Sequence, residues 1–156
     1  TVIVKDDLLG KARVECPSVW DYTQQAAADS MLNTPNTFGW YLLGLVLDWV
    51  KDNGGLEGMG QRNKAKADVL YDYIDSSGYW TNPVAKRARS WMNIPFLQPN
   101  AELDKQFVSE AAKAGLTNLA GHRSVGGMRA SIYNAVPLEG VQALVEFMKE
   151  FAQKNG

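Results

Sequence analysis

The stretch Gly121-His122-Arg123-Ser124-Val125-Gly126-Gly127-Met128-Arg129-Ala130-Ser131-Ile132-Tyr133-Asn134 decides the fold. From Met128 onward apolar and polar residues alternate. Met128, Ala130 and Ile132 would share one face of a strand, and Arg129, Ser131 and Tyr133 the other. Gly126-Gly127 marks a turn, and Leu116 to Ala120 on its far side reads as a second strand. The only histidine, His122, and two arginines, Arg123 and Arg129, surround that glycine-rich turn. Glycines let a backbone approach a ligand closely, and guanidinium forks bind carboxylate or phosphate through paired hydrogen bonds. Arg129 lies opposite the apolar face and so projects away from the core. Spacing alone also admits an ordinary hairpin with solvated charges.

Working outward, Met92, Ile94 and Phe96 predict a half-buried strand, at an edge or a bulge because of Pro95. Four helices frame these strands. Thr37, as N-cap, opens one running to about Asn53, where Gly54-Gly55 stops it. It is apolar nearly all round, from Phe38 to Val50, which predicts burial on several sides by more surface than a short chain offers. A second runs from about Leu56 to Ser76, with Leu56, Met59, Val69, Leu70, Tyr73 and Ile74 inward and Arg62, Lys64, Lys66 and Asp68 solvated. The third runs from Ala101, capped by Asn100, to Gly115, turning Leu103, Phe107, Val108 and Ala111 inward. The last covers about Leu138 to Gln153, with Val141, Leu144, Val145, Met148 and Phe151 or Ala152 at helical spacing. The order from residue 56 onward describes a small α/β sandwich. Upstream, Thr1 to Lys5 reads as a β-branched strand, and Lys11 to Asn36 as an irregular stretch broken by Pro17 and Pro35.

Bulk properties narrow the function. Of 156 residues, 16 are Lys or Arg and 17 are Asp or Glu, a balance that argues against an extended nucleic-acid surface but leaves room for a local anion site. One cysteine, Cys16, forms neither an internal disulfide nor a zinc site; it reads as a small core-filling residue in a reducing compartment. The apolar run from Phe38 to Val50 is too short to span a bilayer, so a soluble, cytoplasmic protein without membrane partners is expected. Asn33-Thr34-Pro35, just ahead of an apolar helix, has residues able to hold a phosphate, or is a plain helix start. Lys86-Arg87-Ala88-Arg89 reads as a solvated lead-in to a strand. No P-loop, Gly-x-Ser-x-Gly elbow or paired-histidine metal motif is present.

Several stretches together resemble the phosphoserine aminotransferases, fold-type-I, class-V enzymes that use pyridoxal 5'-phosphate. They are Thr1 to Gly10 (TVIVKDDLLG), Asn33 to Gly44 (NTPNTFGWYLLG), Gly54-Gly55-Leu56, Arg89 to Pro95 (RSWMNIP) and Gly121 to Gly140 (GHRSVGGMRASIYNAVPLEG). Asn36 stands where the family commonly has a second proline, and Ala120 where it often has lysine. The resemblance implies a remnant of the cofactor-binding large domain, with its last strand and helix, over residues 1–55. Residues 56–156 would then be the small C-terminal α/β domain.

It further implies that Asn33 and Thr34 bind the cofactor phosphate across the interface of a homodimer. His122 and Arg123 would hold the substrate's distal phosphate or side-chain carboxylate, and Arg129 its α-carboxylate. The reaction implied moves the amino group of glutamate to 3-phosphohydroxypyruvate, giving 2-oxoglutarate and phosphoserine. A lysine holds the cofactor covalently in the family and lies upstream of the position matching Thr1. The chain alone is therefore expected to be inactive without an N-terminal part of the same protein. Two other readings remain: a non-catalytic module binding small anions through residues 121–129, and an inert product of proteolysis.

Overall fold

The three longer helices form where the residue pattern places them. Gly54 and Gly55 take φ values of 90° and 65°, a conformation that suits glycine and breaks the preceding helix from α3 (Gly55–Ser76). Along α3 the buried residues are Met59, Asn63, Lys66, Ala67, Leu70, Tyr71 and Ile74, a continuous stripe at three- and four-residue spacing. The last helix, α5 (Leu138–Asn155), buries Val141, Leu144, Val145, Met148 and Phe151 and packs on α3. The computed structural model describes residues 1–122 and 126–156; Arg123, Ser124 and Val125 lie outside the described residues. The chain divides into two compact units, Thr1–Trp49 and Val50–Gly156.

In the second unit a two-stranded antiparallel sheet pairs β1 (Asn93–Phe96) with β2 (Met128–Ser131). Its register sets Asn93 opposite Ser131, Ile94 opposite Ala130, Pro95 opposite Arg129 and Phe96 opposite Met128. The Ile132 N–H donates to the Met92 carbonyl at 2.8 Å, which makes 92/132 and 94/130 the hydrogen-bonded pairs. Pro95 therefore falls in a pair that exchanges no ladder bonds, and its missing N–H costs the sheet nothing. Isolated bridges extend the pairing on either side, Thr81 with Leu97 and Ala120 with Met128.

Ile94, Phe96, Met128 and Ala130 turn inward and join α3, α5 and α4 (Asp104–Lys113) in one core. Its centre is aromatic: Phe107 meets Trp80, Phe96, Phe147 and Phe151 edge-on with centroids 5.0–5.8 Å apart. The Trp80 indole N–H is also satisfied, donating to the Met148 carbonyl at 3.2 Å.

The structure corrects several expectations in this unit. Leu116 to Ala120 contributes one bridge rather than a strand. Asn118 adopts φ 61°, which interrupts extended pairing. The third helix begins as a 3-10 turn, Ala101–Leu103, before α4. Leu56 is 87% exposed at the start of α3 rather than inward, and Lys66, placed on the solvated face, is fully buried. Arg89 is not a solvated lead-in. Its guanidinium grips Asp75 through two hydrogen bonds of 2.9 and 2.7 Å and lies 4.5 Å from the Tyr71 ring centroid.

The first unit holds 3-10 turns at Asp6–Leu8 and Ser18–Trp20, a short helix α1 (Tyr22–Ala27) and most of α2 (Thr37–Asp52). Asp21 caps α1, its carboxylate accepting the Thr23 N–H at 3.0 Å, so the stretch expected to be irregular carries local order. Thr1 to Lys5 forms no strand. No neighbouring strand completes its ladder among the described residues, and Ile3 is left 95% exposed. Thr37 is the first helical residue of α2 rather than its cap; the Asn36 side chain accepts the Gly39 N–H at 3.0 Å instead. No residue of α2 is buried, and Phe38, Trp40, Tyr41, Leu42, Leu43, Leu45, Val46, Leu47 and Trp49 are all exposed. Cys16 is half-buried beside Pro17 rather than in a core. Among the described residues no helix is long and apolar enough to cross a membrane.

Candidate functional site

With Ile94, Phe96, Met128 and Ala130 committed to the core, the opposite face of the sheet carries Asn93 and Pro95 on β1, Arg129 and Ser131 on β2, and Tyr133 just beyond. Arg129 is half-buried. Its backbone N–H reaches away from β1 to the Leu119 carbonyl at 2.8 Å, and its cross-strand neighbour, Pro95, offers no polar side chain. The Arg129 Nε is buried without a hydrogen-bond partner among the described residues. A guanidinium so placed has a buried donor without an acceptor among the described residues, which is what an anion-binding group needs.

Beside it lies an ordered polar trio. The Ser131 hydroxyl donates to Asn93 Oδ1 at 3.0 Å, and the Tyr133 hydroxyl contacts both Oδ1 and Nδ2 of Asn93 at 3.3 Å. Asn93 and Ser131 face each other in a pair without ladder bonds, where side chains stand closest. The sequence reading missed Asn93; its strand position, one residue before inward Ile94, was the available signal.

Backbone geometry shapes the hairpin ahead of β2. The Gly121 N–H donates to the Gly127 carbonyl and the Gly126 N–H to the His122 carbonyl, both at 2.9 Å. A Cβ on Gly121 would overlap the Gly126 carbonyl oxygen, and Gly126 takes φ 74°. The turn is therefore closed by backbone contacts that only glycine permits at these positions. His122 is exposed at its start, so the structure brings His122 and Arg129 onto one hairpin, whereas Arg123 falls outside the described residues. Asn33 and Thr34 belong to the other unit, exposed in the loop ahead of α2.

Lys66 is the largest surprise. Fully buried on α3, its ammonium donates to the carbonyls of Ile132 at 3.1 Å, Tyr133 at 2.7 Å and Val136 at 2.9 Å. An ammonium has three N–H donors, and all three are used. Burial, with a smaller contribution from Arg62, lowers its pKa. One turn away, Asn63 donates to Asn134 Oδ1 at 2.8 Å. The signal was in the spacing: Lys66 falls on the Met59, Asn63, Ala67, Leu70 stripe. Elsewhere, the Arg89 guanidinium, helped by Lys86, holds the Asp75 carboxyl down at about 2.

The class-V aminotransferase family model matches residues 1–144. The chain belongs to that family. It is 59% identical over 155 residues to the phosphoserine aminotransferase of Azotobacter vinelandii, covering 99% of this chain and 43% of that protein. Among solved structures, the phosphoserine aminotransferase of Bacillus circulans subsp. alkalophilus superposes with a TM-score of 0.92 at 44% identity, over 98% of this chain and 43% of that one. The pyridoxal-phosphate-bound phosphoserine aminotransferase of Trichomonas vaginalis gives a TM-score of 0.83 at 40% identity, over 88% of this chain and 39% of that one. The chain thus spans less than half the length of the curated relatives it matches.

Proposed function

We propose that this chain is a portion of a pyridoxal-phosphate-dependent phosphoserine transaminase. In this reading the complete protein moves the amino group of L-glutamate to 3-phosphohydroxypyruvate and yields 2-oxoglutarate and O-phospho-L-serine. The observation that carries the reading is Arg129: a half-buried guanidinium whose Nε is without a partner among the described residues, on the outer face of a sheet whose other face is core. Identity of 59% to a phosphoserine aminotransferase along nearly the whole chain supports the substrate class.

Arg129 binds the α-carboxylate common to glutamate and phosphoserine through a bidentate pair. His122 and Arg123 receive the distal group, a phosphate in one substrate and a carboxylate in the other. Two anions gripped at opposite ends fix the substrate's length and leave its α-carbon as the only free centre.

The cofactor fits this chain at one end only. Asn33 and Thr34 offer an amide and a hydroxyl that are exposed and engaged by no hydrogen bond among the described residues, as a phosphate ligand requires. Pyridoxal phosphate, when bound, supplies the electron sink that lets an amino group leave one carbon skeleton and join another. We assign Asn33 and Thr34 to its phosphate, reached from a partner subunit in a cytoplasmic homodimer. Residues 1–55 belong, in this reading, to the large domain and residues 56–156 to the small one. The exposed apolar surface of α2 is in keeping with such packing.

The test is direct. The complete protein carrying this sequence is incubated with glutamate, 3-phosphohydroxypyruvate and pyridoxal phosphate, and 2-oxoglutarate formation is followed. Turnover with phosphohydroxypyruvate well above that with pyruvate is expected. Equal use of both, or no turnover, overturns the reading.

A further inference from the structure

We infer that Lys66 is a positioning residue for Arg129, holding the end of β2 in the place from which that guanidinium meets a substrate carboxylate. The inference rests on the assignment of Arg129 to the α-carboxylate made above.

A buried ammonium needs a reason. Removing a cation from water is costly, and an apolar residue of similar volume often serves stability as well or better. Lys66 has no carboxylate to offset that cost: among the described residues its ammonium is met only by the carbonyls of Ile132, Tyr133 and Val136. Ile132 and Tyr133 directly follow β2, and Val136 stands two residues before α5. The Val136 N–H also closes onto the Tyr133 carbonyl at 2.9 Å, so three carbonyls of one tight turn converge on a single atom of α3. Asn63 ties the same turn through Asn134.

The consequence reaches Arg129 along the strand. Arg129 stands three residues before Ile132, and the Ile132 N–H continues the ladder to Met92. The cross-strand partner of Arg129 is a proline, in a pair that contributes no ladder bond. Nothing on the side of β1 therefore fixes the height of Arg129 directly. Its backbone is held on the other side by the Leu119 carbonyl and by the pairs on either side of it, 94/130 and 96/128, and the run of β2 beyond them is set by the glycine turn before it and the Lys66 clamp after it. A neutral amine has two N–H donors and would leave one of the three carbonyls unpaired, so the charged form is the one that completes the clamp.

The test separates positioning from general stability by ligand choice. Inhibition constants of phosphoserine and of phosphoethanolamine, which lacks the α-carboxylate, are measured on the complete holoenzyme. The variants are Lys66→Met, Arg129→Ala and the double variant. A misplacement approaching 1 Å of a positioned group costs up to about 100-fold. Lys66→Met is expected to weaken phosphoserine about tenfold while leaving phosphoethanolamine unchanged within about twofold. In the Arg129→Ala background the further loss disappears, because the group being positioned is gone. Asn63→Ala, which releases the second tie, gives a smaller loss of the same selectivity and carries the test if Lys66→Met does not fold. Loss of phosphoserine affinity in Arg129→Ala but not in the clamp variants, or equal loss of both ligands in the clamp variants, overturns the role of Lys66. If Arg129→Ala itself does not discriminate the two ligands, it is the carboxylate assignment of Arg129 that fails.

Discussion

Replacing Arg129 by alanine separates a binding group from a structural one by moving two measurements in different directions. The side chain makes no hydrogen bond among the described residues, and its Nε is already buried without a partner. Deleting it breaks no internal bond and removes a desolvated polar group, whose unmet hydrogen bond costs about 1–3 kcal/mol. Arg129→Ala should therefore leave thermal stability unchanged or slightly raised. The melting temperature should accordingly not fall. Binding behaves oppositely. Loss of a bidentate, charge-assisted pair to a carboxylate amounts to about 2–4 kcal/mol, or roughly 30- to 1,000-fold in kcat/KM. The loss falls on glutamate and phosphoserine alike, because the lost partner is the α-carboxylate of each. Arg129→Lys retains the charge but not the fork and should recover only part of the loss. Steady-state kinetics with both substrates, paired with calorimetric melting of the same preparations, provide the check. A drop of several degrees in melting temperature with kcat/KM intact would show that Arg129 is a structural residue.

Other expectations follow from the core, the turn and the ion pairs. Phe107→Ala removes a ring in edge-on contact with four others and should cost about 3–5 kcal/mol, read in this chain as a fall of roughly 6–20 °C in melting temperature. Gly121→Ala drives a Cβ into the Gly126 carbonyl. It should destabilise the hairpin by about 1–3 kcal/mol and weaken substrate binding with it. The Asp75 carboxyl is lowered from 3.8 to about 2, chiefly by Arg89, so the pair contributes stability above pH 3.8 that is lost as pH falls through about 2. Melting temperatures of wild type and Asp75→Asn should differ at pH 5 and converge toward pH 2. A constant gap would show that the carboxylate charge is not what stabilises this corner.

What the sequence could show depended on whether a residue's partner lay nearby in the chain. The bodies of α2, α3 and α5 follow from local glycine stops and three- and four-residue stripes, and they stand where the periodicity put them. The alternation from Met128 placed Arg129 on the outward face by the same local logic. Lys66 was misplaced because its partners, the carbonyls at 132, 133 and 136, lie 66 to 70 residues away. Arg89 was missed similarly: the Asp75 that draws it inward is 14 residues upstream, on another element. The cap of α2 went to Asn36 rather than Thr37, a local choice between two suitable side chains that spacing does not settle. Thr1 to Lys5 has the composition of a strand, but a strand is completed only by a neighbour.

Pro95 carries a consequence for how the sheet is assembled. Its partner strand begins more than thirty residues later, so the two segments must find each other across a long intervening stretch and can meet in more than one alignment. In the observed alignment the imino nitrogen sits where no bond is exchanged. Sliding β1 by one residue would put that nitrogen in a bonding slot it cannot fill and turn Ile94 and Phe96 toward solvent. Both penalties fall on the same wrong encounter, so Pro95 works as a proofreading mark: a slip of β1 is disfavoured twice over, and the pairing that remains is the one that keeps Ile94 and Phe96 in the core.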